Sequence, residues 1–221
     1  MSAYGLRNSV ASGRRQTNTM KLAILGAGNV GATLGRRLQQ LGHTVRWGVP
    51  DPSAPKYAGL DVIEVAAAVE GAEVVLLAIP WAAAEQAVKS AGDLSGKILV
   101  DITNPVASDF SGLADLKGLS AAEHIARWAP GAAVVKAFNT VGNNIMENPH
   151  FGSEAASMLI ASDHAEAKQR VMRLAEELGF EPIDAGPLPM ARHLESFAWV
   201  WITLALKQGQ GREIAFRLLH R

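Results

Sequence analysis

The chain has 221 residues and no cysteine. That excludes disulfides, thiolate metal sites and a cysteine nucleophile, and it fits a reducing compartment, so a cytoplasmic setting is expected. Net charge is also lacking: 21 basic and 21 acidic side chains give a formal charge of +0. Without a broad basic surface, binding to nucleic acid or to an anionic membrane is not expected. Long apolar runs are missing too. The nearest, Phe197 to Leu206, is about half of the roughly 20 residues that span a bilayer. Histidines are few and scattered (His43, His124, His150, His164, His193, His220). Each reads as a surface or structural residue, and no metal site or nucleophilic triad is expected among them.

Residues 1–19 lack an apolar period and read as a disordered tail. Arg7, Arg14 and Arg15 are not followed by the apolar segment that a secretory signal requires. The first strand begins directly after Met20, which could serve as the true start. The length suits one α/β domain with a small extension.

What is present is a strand, a glycine turn and a helix start within Lys21 to Arg37. Leu22 to Leu25 is a short unbroken apolar run, as in a parallel strand covered on both faces. Gly26-Ala27-Gly28-Asn29-Val30-Gly31 then gives G-x-G-x-x-G. The first glycine permits the tight turn, the second lets a pyrophosphate approach the backbone, and the third lets helix and strand pack closely. The pyrophosphate would rest on the free amides of the helix N-terminus. A glycine-rich turn without a ligand is the competing reading.

Further strands follow at Thr44 to Trp47, Asp61 to Ile63, Glu73 to Ile79, Lys97 to Ile102, Ala133 to Phe138 and Ser157 to Ala161. Helices lie between them, among them Ala121 to Trp128 and Asp163 to Leu178, the latter with a capping residue. Asn143 to Gly152 reads as irregular, and Phe180 to Asp184 as an edge strand because proline cannot serve a central ladder. Two helices close the chain, Met190 to Gln208 and a short one holding Ile214, Phe216 and Leu218. In an open parallel sheet, ligands sit beyond the carboxyl ends of the strands. That singles out Ile79, Pro80, Trp81, Asn104, Pro105, Ala137, Phe138 and Asn139. Two successive strands end in an Asn with a Thr beside it, near where a nicotinamide ring would lie. Trp81 reads equally as a helix-start residue packed on the sheet, and Asn104 as an Asx-turn cap. The second strand runs into Gly48-Val49-Pro50-Asp51 with neither an acid nor an arginine directly at its end, so the choice between NAD and NADP stays open.

Taken together, Gly-Ala-Gly-Asn-Val-Gly (26–31), Leu-Gly-His (41–43), Ala-Ile-Pro-Trp (78–81), Asp-Ile-Thr-Asn-Pro (101–105), Val-Lys-Ala-Phe-Asn-Thr (135–140) and Asp-Ala-Gly-Pro-Leu (184–188) resemble the coenzyme F420-dependent NADP oxidoreductase family. Its wider relatives include the oxidoreductase domain of the STEAP metalloreductases. The resemblance implies a Rossmann-type, doubly wound, mostly parallel α/β sheet over residues 20–186. It implies a small C-terminal helical extension over 187–221 that closes the second-substrate site. It also implies direct hydride transfer between NADP or NAD and F420 or a flavin, with no catalytic side chain. Members often place Ser-Arg or Val-Arg at the end of the second strand to hold the 2′-phosphate; here Val49-Pro50 stands there, so Arg46 or Lys56 would have to substitute. Two other readings are an imine or carbonyl reductase of the pyrroline-carboxylate reductase type, and a dinucleotide sensor without turnover. Phe197, Trp199, Trp201 and Leu204 place apolar groups on more than one side of the last long helix, which predicts a homodimer contact there.

Overall fold

A computed structural model describes residues 19–221. The tail expected over 1–19 lies, apart from Thr19, outside the described residues. The first strand, β1 (Lys21–Leu25), is followed by α1 (Asn29–Gln40), which stops at Gly42 in the left-handed region (φ 92°). Next come β2 (Thr44–Val49), β3 (Val62–Glu64) and α2 (Val65–Val69). The central pairs are β4 (Val74–Leu77) with α3 (Ala84–Ser90), and β5 (Ile98–Asp101) with α4 (Ala121–Trp128). Helix α4 occupies the span its sequence predicts because Ser120 and Glu123 form a capping box. β6 (Ala133–Lys136) leads to α5 (Asn143–Glu147) and a two-strand hairpin, β7 (His150–Phe151) with β8 (Glu154–Ala155). The chain then passes through β9 (Ser157–Ala161), α6 (Ala165–Glu177), β10 (Glu181–Gly186) and α7 (Ala191–Leu206).

Eight strands form one sheet in the order β10-β9-β6-β5-β4-β1-β2-β3. Strands β1 to β6 are mutually parallel, β9 meets β6 antiparallel, and β10 runs parallel to β9. This is the doubly wound Rossmann order, in which the strand sequence reverses between β1 and β4 and a crevice opens at their carboxyl ends. The central strands are apolar apart from Lys21, which opens β1, and Asp101 and Lys136, which end β5 and β6, because helices cover both faces. Leu34, Leu38, Ile145, Val171 and Leu174 pack on one face, and Val65, Ala68, Val88 and Ile125 on the other. Pro182 lies in β10 at the sheet edge, where a missing amide is tolerated. Among the described residues, no helix is long and apolar enough to cross a membrane.

Three local readings are corrected. The stretch expected to be irregular after Thr140 contains α5, too short for a periodic signal, whose Ile145 and Met146 are buried. Helix α6 has no side-chain cap; Asp163 instead accepts the Leu188 amide at 3.0 Å. The final short helix is absent, since 207–221 carries no helix. Ile214, Phe216 and Leu218 are spaced by two, which is an extended period rather than a helical one. Gly209 and Gly211 adopt positive φ ahead of them. The segment takes its hydrogen bonds from neighbouring elements: Ser157 N–H donates to Phe216 O at 3.0 Å and Trp201 Nε1–H to Ile214 O at 2.7 Å.

Candidate functional site

The turn after β1 stands at the strand-order reversal. Gly26 has φ 107°, and a Cβ there would lie 2.4 Å from Ala78 O. A Cβ on Gly31 would lie 2.1 Å from Gly26 O. Both positions exclude any larger residue. Gly28 differs: a Cβ there would meet nothing within 4 Å, so its backbone faces open space. It is the N-cap of α1, no side chain caps that helix, and the first turn carries no acid. Unfilled space over uncapped helix amides suits a phosphate. Trp47 braces this arrangement, its ring over Gly35 and its Nε1–H donating to Gly31 O at 3.0 Å.

Beside the turn lies a cavity of about 690 Å³ lined by Gly26, Gly48, Pro50, Lys56, Tyr57, Glu64, Ile79, Pro80 and Gln86, among others. Lys56 stands 4.8 Å from the Tyr57 ring centre, at the cavity edge. Arg46 is elsewhere: it lines a separate hollow with Lys21 and Thr44, at the opposite end of the strand. Asp51 closes an Asx turn, accepting from Ser53 N–H at 3.0 Å and Ser53 Oγ–H at 2.6 Å. These Ser53 bonds hold the Asp51 carboxyl below the usual carboxylate range.

At the other end of the crevice, β5 and β6 run in register, with Asp101 opposite Lys136. The loops beyond them bring the two asparagines together. Asn104 Nδ2 donates to Asn139 O at 2.8 Å, and Asn139 Nδ2 donates to Asn104 Oδ1 at 3.0 Å and to Leu194 O at 3.2 Å. The buried Asn139 Oδ1 has no hydrogen-bond partner among the described residues. Beneath this pair Lys136, fully buried, donates to Asp101 Oδ2 at 2.8 Å and Thr103 O at 2.5 Å, and stands 2.9 Å from Glu195 Oε1. Asp101 Oδ1 in turn accepts from Thr103 N–H and Oγ1–H. Glu195 also takes the Ala121 amide at the start of α4. Burial works against the Lys136 charge, but Asp101 and Glu195 outweigh it and hold its pKa above the ordinary lysine value. Burial pushes Glu195 upward; the Lys136 charge opposes this only in part.

The remaining predicted residues fall into two groups. Ala27, Asn29, Val30, Ile79, Pro80 and Trp81 keep exposed or half-buried side chains at the strand ends. Trp81 stacks on Trp128, ring centres 5.4 Å apart, with His124 beside both. Its packing role is thus realised; only part of the ring is free. Pro105, Ala137 and Phe138 are buried, so they can offer a ligand little beyond backbone. Phe138 has φ 60°, an unusual conformation for a bulky side chain. Its ring lies edge-on to Phe180 in the core, and its N–H donates to Met158 Sδ. Sequence reasoning overlooked Asp101, Lys136 and Glu195. A lysine in an otherwise apolar strand, and a glutamate on the buried stripe of α7 between Leu194 and Ala198, were the available signals.

A family model described as NADP oxidoreductase coenzyme F420-dependent matches residues 21–105. A solved chain from Arthrobacter sp. FB24, provisionally assigned as an F420-dependent NADP-reductase, is 33% identical with a TM-score of 0.82, covering 91% of this chain and 100% of that one. The metalloreductase STEAP3 of Rattus norvegicus is 34% identical over 182 residues, which is 80% of this chain. The chain spans 36% of that relative's length. A reductive aminase from Aspergillus terreus in complex with NADPH and ethyl levulinate shares the fold alone, at 20% identity and TM-score 0.61 over 86% of this chain and 63% of that one.

Proposed function

Since the chain belongs to the coenzyme F420-dependent NADP oxidoreductase family, we propose that it is an NADP(H)-dependent oxidoreductase moving a hydride between the nicotinamide and a deazaflavin or flavin-type ring. The observation that carries the reading is the turn itself, tight at Gly26 and Gly31 and open at Gly28, beside a cavity sized for an adenosine. The amides of Asn29, Val30 and Gly31 would receive the pyrophosphate. Lys56, the basic side chain on that cavity, would take the 2′-phosphate in place of the missing arginine. Asn104, half-buried at the strand end, would orient the nicotinamide carboxamide, with Asn139 bonded behind it. When bound, the nicotinamide supplies the carbon that gives or takes hydride. The chain's part is to bind, align the rings and exclude water, which needs no nucleophile.

The test is a screen of NADPH and NADH against F420, FAD and FMN, following nicotinamide absorbance. Exchange with at least one acceptor, faster with NADPH, is expected. No exchange with any of the three sinks the reading. The same proposal includes a homodimer through α7, whose Val200 and Leu206 are about half exposed; a monomeric mass by light scattering removes it.

A further inference from the structure

The amide pair at the strand ends is not free to take its position alone. Asn139 spends one amide hydrogen on Leu194 O, and the next residue in α7, Glu195, reaches Lys136 at 2.9 Å. Lys136 in turn holds Thr103 O, the carbonyl directly before Asn104. Its three ammonium donors therefore go to β5 (Asp101), to the β5 loop (Thr103) and to α7 (Glu195). Glu195 is 3% exposed and also receives the first amide of α4. Three elements and one loop converge on a single buried ammonium.

We propose that Glu195 is a positioning residue: through Lys136 it locks α7 to the ends of β5 and β6 and thereby sets the Asn104–Asn139 pair that meets the nicotinamide. This rests on the reading that those strand ends hold a nicotinamide. Glu195 touches no ligand; it acts by fixing Leu194 O and Thr103 O, the two carbonyls that bracket the pair. A carboxylate is suited to this because it accepts from the ammonium and the amide at once, whereas a neutral amide turns one donor against those donors. With the strand-end loops loosened, the adenosine end of the cofactor should bind as before while the nicotinamide end loses its fixed partners.

The experiment compares two ligands on the full chain. Wild type and E195Q are titrated with NADPH, following reduced-nicotinamide fluorescence, and with 2′-phospho-ADP-ribose, which lacks the nicotinamide, by calorimetry. The expected result is a roughly tenfold loss in NADPH affinity with 2′-phospho-ADP-ribose unchanged, the size of one lost hydrogen bond to a charged group. An equal loss for both ligands, or none for either, overturns the proposal. Should E195Q fold poorly by circular dichroism, E195D supplies the second arm: it keeps the carboxylate charge but shortens its reach to Lys136. It should show the same NADPH-selective loss, and an equal loss for both ligands, or none for either, overturns the proposal. Wild type that binds neither ligand removes the dinucleotide reading, and this inference with it; wild type that binds both, with the Glu195 variants binding as wild type does, removes this inference alone.

Discussion

The two ends of the crevice are built on opposite plans. At the end proposed to hold the adenosine the chain supplies room: glycines with nothing over Gly28, a wide cavity, and one exposed lysine. At the end proposed to hold the nicotinamide it supplies constraint: a buried ammonium with every donor used, two carboxylates, and paired amides. A phosphate-rich half of a ligand carries its own charge, so it needs only free amides and space. A reacting ring must be held to within a fraction of an ångström, and that alignment must exist before the ligand arrives. The contrast is between recognition by vacancy and recognition by pre-set geometry.

Four substitutions and one control probe that contrast. The largest effect is expected for K136M, which strands Asp101 and Glu195 in the interior; about 3–5 kcal/mol should be lost in urea unfolding. The exposed Lys89–Glu85 pair is the control, and K89A should cost only about 0.3–0.5 kcal/mol. Similar costs for the two would mean the nicotinamide end is not rigidly held. Next, G31A should lose about 1–3 kcal/mol to overpacking against Gly26 O. G28A should leave the thermal midpoint in place yet weaken ADP-ribose binding, since its methyl enters ligand space; normal binding by G28A would end the vacancy argument. Third, K56A should weaken NADPH binding about tenfold while sparing NADH, a single charge-assisted contact. Equal effects on both cofactors would detach Lys56 from the 2′-phosphate.

The last effect is a pH dependence outside the crevice. The Arg192 guanidinium is the main cause that lowers the Glu123 carboxyl from 4.5 to about 2. A carboxylate with a depressed folded pKa contributes stability that is present above pH 4.5 and fades as the pH falls toward about 2. The thermal midpoints of wild type and E123Q should therefore differ above pH 4.5 and converge below it. A gap that stays constant through that window would contradict the assignment.

The sequence made the glycine turn readable because its logic is local. An apolar run, three glycines at fixed spacing and a helix start are all contiguous. The same holds for most of the six parallel strands, short apolar stretches that end at glycine, proline or a polar residue; β2, interrupted by Arg46, is the exception. Asn104 and Asn139 were found by their position, but their mutual hydrogen bonds were not, because they depend on the register of β5 against β6. Asp101, Lys136 and Glu195 escaped for the same reason: each alone is an ordinary charged residue, and their meaning appears only when α7 docks on the strand ends. Arg46 and Lys56 could be told apart only once the strand direction and the cavity were in place. The C-terminal segment was misread because apolar residues invited a helix although their spacing was that of an extended chain.

Phe138 carries a consequence for anyone seeking a hardier form of this protein. A bulky residue held at φ 60° is strained by about 1–3 kcal/mol, a cost the core absorbs by burying its ring against Phe180. The next residue is Asn139, whose side chain leaves the strand where that unusual backbone turns it. Relaxing the kink, for example with Phe138→Gly, trades ring burial for backbone freedom at the point from which Asn139 is aimed. Stabilising selection at this position therefore pulls against alignment of the amide pair, and directed evolution for heat tolerance should find the strand end resistant to improvement unless activity is allowed to drift.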